Sequence, residues 1–111
     1  MNFLYLNSDR MGTGDEALGR RLLVGFLREL ASSDATIDMV GCLNSGIALT
    51  TEEGEALDAL RELEAKGATI ATCGTCLDHA GKRDELKVGQ VGNLKQAVAL
   101  MITADRIIAP C

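Results

Sequence analysis

Short apolar runs alternate with helical stripes along this chain, and that alternation restricts the possible folds more than any other feature. Phe3-Leu4-Tyr5-Leu6 is one unbroken apolar run. Leu18, Leu22, Leu23, Phe26, Leu27 and Leu30 then recur at the spacing of one helix face. Thr36 to Cys42 carries Ile37, Met39 and Val40, and Ala56, Leu57, Leu60 and Leu63 form a second stripe. A third run, Ala68 to Thr72, follows Gly67, a residue suited to closing a helix. Strand runs this continuously apolar are buried on both sides. They predict a parallel sheet with helices against each face. A length of 111 residues predicts one domain, 1–111, that can bury a core without disulfide staples.

Local signals mark the ends of these elements. Thr13 with Glu16, and Thr50 with Glu53, have capping-box spacing, although Asp15 is a competing cap for the first helix. Glu52, Glu53 and Glu55 crowd the start of the next helix and Lys66 stands near its end, matching the helix dipole. Lys87 to Gly92 predicts a very short strand. Asn93 and Gln96 predict a cap before a helix with Leu94, Ala97, Val98, Met101 and Ile102 as its stripe. Arg106 to Ala109 predicts a last short strand, stopped by Pro110.

Composition narrows the function classes. The formal charge of −5, without a large Lys/Arg cluster, argues against nucleic acid as a partner. No run approaches the ~20 apolar residues of a membrane span. Met1 to Tyr5 lacks a basic n-region, so no signal peptide is expected and the expected location is cytoplasmic. In that reducing setting four cysteines predict reactive, metal-binding or buried thiols rather than a disulfide framework.

The chemistry concentrates in Cys73-Gly74-Thr75-Cys76, where the third strand ends. Ligands of parallel sheets bind beyond the carboxyl ends of the strands. Asn7-Ser8-Asp9 and Cys42-Leu43-Asn44 end the first two strands, so three polar or thiol-bearing loops are expected to meet at one edge. A helix starting near Thr75 would favour a thiolate through its free N–H groups and dipole. Two thiols three residues apart can also close a reversible disulfide. Gly74 would let the backbone approach a ligand, Thr75 would donate a hydrogen bond, and Asp78 or His79 would move protons. Inert buried cysteines are the plain alternative. A metal site on Cys73, Cys76 and His79 would need Cys42 or a second subunit to complete it. The sole proline, Pro110, cannot pack against the thiols as in thioredoxin, so that topology is rejected. Gly12-Thr13-Gly14-Asp15 has the look of an anion-binding turn, although a plain capped turn explains it as well. Cys42 reads as core, and Cys111, the last residue, needs no function.

Three blocks together resemble a known family: Asn7-Ser8-Asp9 with Met11-Gly12, Gly14-Asp15 and Leu18-Gly19; Asn44-Ser45-Gly46; and Cys73-Gly74-Thr75-Cys76-Leu77-Asp78. They resemble the DsrE/DsrF-like domain of YedF-type selenium-metabolism proteins, over Asn2 to about Ile108. The resemblance implies a three-layer α/β/α sandwich on a five-stranded, mainly parallel sheet, and a homo-oligomer. It implies a sulfur or selenium carrier, without a cofactor or a resident metal, in which Cys73 accepts persulfide sulfur and Cys76 is its companion thiol. It implies a donor protein of TusA-like type. YedF-like proteins usually carry a TusA-like domain ahead of this one, and this chain begins at its first strand. The expected alternatives are a non-catalytic oligomeric binding protein with inert cysteines and a metal-binding module.

Overall fold

A computed structural model describes all 111 residues, Met1 to Cys111. Five strands, β1 (Asn2–Leu6), β2 (Met39–Cys42), β3 (Thr69–Cys73), β4 (Gln90–Gly92) and β5 (Arg106–Ile108), form one sheet in the order β4-β3-β2-β1-β5. Every neighbouring pair is parallel. The helices are α1 (Glu16–Ser32), α2 (Ala48–Thr51), α3 (Glu55–Ala65), α4 (Gly74–Ala80) and α5 (Leu94–Thr103). Tight 3-10 turns at Asn44–Ile47 and Arg83–Glu85 join them.

This strand order determines how the two faces are covered. From β1 to β4 the chain steps always the same way across the sheet, and only the return from β4 to β5 runs back. Right-handed crossovers then put the forward connections on one face and α5 alone on the other. The packing follows. Leu4, Leu6, Val40, Cys42 and Ile70 share a core with Leu23, Leu27 and Ala31 of α1 and Leu57, Leu60 and Leu63 of α3. On the opposite face Phe3, Met39, Gly41, Ala71 and Cys73 meet Ala97 and Leu100 of α5. Five strands are about 19 Å across and a helix is about 10 Å wide, so one helix leaves much of that face thinly covered. No residue of α5 is fully buried.

Several element ends differ from the sequence expectations. Thr13 does not cap α1; the Asp15 carboxylate accepts the Leu18 N–H at 2.7 Å instead. Thr50 is not a cap either. It is fully buried in α2, and Gly54 precedes α3. Strand β2 begins only at Met39, after Asp38 has linked its neighbours by accepting from the Thr69 N–H and donating to the Asn2 carbonyl. Along α1 the buried line is Gly19, Leu23, Leu27 and Ala31, whereas Leu18 and Leu22 are exposed. Lys66 lies at the end of α3, but its ammonium crosses to the Ala31 carbonyl and so serves the end of α1. Along α5 the apolar Leu94, Val98 and Ile102 point outward, Ile102 being 78% exposed. Asn93 does cap α5, its side chain accepting the Gln96 N–H at 2.8 Å.

Candidate functional site

The three expected loops meet at the carboxyl edge of the sheet. Leu6, Cys42 and Thr72 stand in register across β1, β2 and β3, so the chain leaves all three strands at one level. Two hydrogen bonds then stitch the loops together. The Asp9 N–H donates to Ser45 Oγ at 3.2 Å, and the Asn44 N–H donates to Cys76 Sγ at 3.2 Å.

Asn44 can aim its N–H this way because its backbone is left-handed, with φ of +51°, the one non-glycine residue with positive φ. Asparagine tolerates that region better than most residues, at some cost in strain. The turn is tied to β1 by the Leu43 N–H on the Leu6 carbonyl at 3.0 Å, and closed by the Gly46 N–H on the Leu43 carbonyl at 2.8 Å. Gly46 has to be glycine: a Cβ there would lie 2.3 Å from the Leu6 carbonyl oxygen.

The two thiols of the CxxC look in different directions. Cys73 ends β3, and strand alternation turns it toward the α5 face, 9% exposed, beside an apolar cavity of about 30 Å³. Cys76 lies in the first turn of α4, half-buried, and lines an open cleft of about 510 Å³ with Asp9, Asn44, Ser45, Thr75, His79 and Lys82. Cys73 stands near enough to act on the Cys76 thiol. Burial pushes the Cys76 thiol up from its ordinary value; the Asn44 N–H pulls the other way, and Cys73 adds to the rise. The helix start therefore does not leave Cys76 the readily ionised thiol that a strand–CxxC–helix pattern suggests. Desolvation and the neighbouring Cys73 outweigh the backbone donors, the Asn44 N–H and the N–H of Cys76 itself.

The supporting residues divide. Asp9, Asn44, Thr75 and His79 line the cleft. Burial works to raise the Asp9 carboxyl, but the Arg10 hydrogen bond at 2.8 Å and the nearby Arg20 bring it below its ordinary value. Asp78 turns away to Arg83, bonded at 2.7 and 3.0 Å, which lowers its pKa and keeps it ionised outside the cleft. Gly74 is buried against Arg83 and Val91, and its missing side chain admits those neighbours. Asn7 is exposed and lines neither cavity. Gly12, Thr13, Gly14 and Asp15 line a separate polar pocket with Arg10 and Glu16, and the Asp15 carboxylate already occupies the helix N-terminus.

The other two cysteines pair up in space. Cys42 faces the α1/α3 core, opposite in strand parity to Cys73, and burial pushes its thiol up to about 12. Cys111 is half-buried against that same core, its Sγ 3.8 Å from the Ser8 carbonyl. Its packing had no signal in the sequence, because a terminal residue belongs to no periodic pattern. No three His, Cys, Asp or Glu side chains are gathered so as to hold a metal ion. No helix is long and apolar enough to cross a membrane.

No family model matches the chain, and no curated protein matches it in sequence. Solved structures do match in fold. The ychN protein from E. coli is 18% identical, with a TM-score of 0.64, over 97% of this chain and 97% of that one. MTH1491 from Methanobacterium thermoautotrophicum, a protein of unknown function, is 21% identical, with a TM-score of 0.67, over 98% of this chain and 97% of that one. Five parallel strands between helical layers are what the DsrE/DsrF-like resemblance implied, and the chain has the DsrE/YchN-like α/β/α fold.

Proposed function

We propose that this protein is a sulfur or selenium carrier of YedF-like type that works through the Cys73–Cys76 pair. The observation that carries the reading is the Cys76 sulfur, which accepts a backbone N–H in an open polar cleft while a second thiol stands beside it. A hydrogen bond to sulfur favours its anion, and a thiolate or persulfide anion is the species that takes up and passes on chalcogen. Burial pushes the Cys76 thiol up from its ordinary value, so uptake is served by a base, and in this reading His79 takes the proton. Thr75 and Lys82 then offer a hydroxyl and an ammonium toward negative charge in the cleft.

In the same reading the chain works in the cytoplasm and is loaded by a donor protein, of TusA-like type, whose persulfide enters the cleft. It is also a homo-oligomer. Leu94, Val98 and Ile102 form an exposed apolar line on α5, continued by Val91 and Ile107, over the thinly covered sheet face. A second copy is the partner that this face suits, since Lys95 is the only charge along α5.

Intact-mass measurement tests the carrier. Reduced protein incubated with a low-molecular-weight persulfide is expected to gain one sulfur atom, or to lose two hydrogens as a disulfide with release of sulfide. Neither change should survive in the Cys73→Ser/Cys76→Ser double variant. An unaltered mass in the wild-type chain would refute the carrier. A parallel incubation with a selenopersulfide decides between the two chalcogens.

A further inference from the structure

We propose that Cys76 is the thiol that receives the chalcogen and that Cys73 is the thiol that releases it, the reverse of the order implied by the resemblance. The assignment rests on the carrier reading above and gives each sulfur its own step.

Access separates the two. The cavity beside Cys73 is about 30 Å³, walled by Phe3, Ala71 and Leu100, which is room for roughly two water-sized atoms. A donor persulfide brings at least two sulfurs and a carbon and cannot be seated there. Cys76 opens on a cleft of about 510 Å³ that has polar groups along its wall.

Charge separates them again. The attacking sulfur is an anion, and Cys76 Sγ meets that charge with the Asn44 N–H at 3.2 Å. The Cys73 side chain accepts no such bond. Asn44 holds a left-handed backbone, and its turn is anchored at Leu6 and Asp9, so the donor is set before any ligand arrives. The carboxylate of Asp9 also lines the cleft, but Arg10 and Arg20 compensate its charge.

The opposed directions of the thiols suit a two-step sequence. The Cys76 thiolate attacks the outer sulfur of a donor R–S–SH. The donor S–S bond breaks, and R–S⁻ leaves with the electron pair and takes a proton. The Cys76 persulfide now stands with its outer sulfur in the cleft. The Cys73 thiolate then attacks the inner sulfur from the sheet side, in line with the departing atom. The Cys76 Sγ–S bond breaks, HS⁻ leaves into the cleft, and a Cys73–Cys76 disulfide remains. The two thiols lose two electrons, and the sulfane sulfur gains them. A thiol or dithiol reductant resets the pair.

The variants Cys73→Ser and Cys76→Ser, each incubated with glutathione persulfide, test the order. Cys73→Ser is expected to accumulate a stable adduct one sulfur heavier, located on Cys76 by peptide mapping. Cys76→Ser is expected to load at least about tenfold more slowly, the order of difference that access and charge make to thiol reactivity. Loading of Cys76→Ser at the rate of Cys73→Ser, or faster, overturns the assignment. Peptide-resolved alkylation of the reduced wild-type chain supplies a second readout that needs neither variant nor sulfur uptake. Cys76 should be modified before Cys73, and the opposite order overturns the proposal. If no sulfur is taken up yet Cys76 is alkylated first, the carrier reading fails while the ranking of the two thiols stands.

Discussion

Thr50 and Thr72 hold the end of β3 against α2, and their energetics can be worked out from hydrogen counting. Both residues are fully buried, and their hydroxyls are 2.8 Å apart. Thr50 Oγ1 also lies 3.2 Å from the Ile47 carbonyl, whereas Thr72 has no other partner. A hydroxyl has one hydrogen to give. If Thr50 gave its hydrogen to Thr72, the Thr72 hydrogen would be buried without an acceptor. The order is therefore Thr72 to Thr50 to Ile47. Thr72→Val removes the first donor and leaves Thr50 still bonded, a loss of about 1 kcal/mol. Thr50→Val strands the Thr72 hydrogen in the core, at about 2 kcal/mol. The Ile47 carbonyl is not stranded, because Thr51 Oγ1 also donates to it at 2.9 Å. With both replaced, the pair is apolar and of similar shape, and the double variant should lose only about 1 kcal/mol rather than the sum. Urea unfolding of the four proteins at one fixed protomer concentration measures all three values. An additive double variant, or a Thr72→Val loss equal to that of Thr50→Val, would refute the hydrogen order and the coupling built on it.

Three other perturbations follow from the same structure. Gly46→Ala puts a methyl against the Leu6 carbonyl, which cannot swing aside, so it should lower stability by about 1–3 kcal/mol and draw the Asn44 N–H off Cys76. Cys76 alkylation should then begin at higher pH than in the wild type, whereas Gly25→Ala, where nothing lies within 4 Å, should leave that profile unmoved. Cys42 has its thiol pushed from 9.0 up to about 12 by burial. The folded state thus keeps a proton that the unfolded chain gives up. Its contribution is complete below pH 9.0 and is lost as pH climbs toward 12, at about 1.4 kcal/mol per pH unit. Across that window the stability of the wild type should fall relative to that of Cys42→Ala by this slope, and parallel curves would contradict it. Ile102→Glu places a charge at the most exposed apolar position of α5, and light scattering should show a smaller assembly without a change in helix content. An unchanged mass would exclude α5 from the contact.

The elements legible in the sequence were those whose signal is local. Apolar runs located the strands, Asn93 with Gln96 located the start of α5, and Cys73 could be put at a strand end because Gly67 and the alternation of elements bounded the run before it. What stayed hidden depended on register and topology. The spacing of Thr50 and Glu53 matches a cap, but a partner 22 residues away in β3 claims the Thr50 hydroxyl instead. That Cys42 and Cys73 face opposite sides follows only from pairing Cys42 with Thr72, which no property of either strand states alone. The outward turn of Leu94, Val98 and Ile102 depends on the strand order, because only α5 makes the return crossing and one helix cannot span five strands. This last point bears on the chemistry. Any second copy seated on α5 would close the Cys73 side further, since Asn93, Gln96, Ala97 and Leu100 already wall its cavity. The cleft at Cys76 has no residue of α5 in its lining and would stay open. Assembly through α5 would therefore sharpen the difference in access between the two thiols, shielding Cys73 while leaving Cys76 open to the cleft.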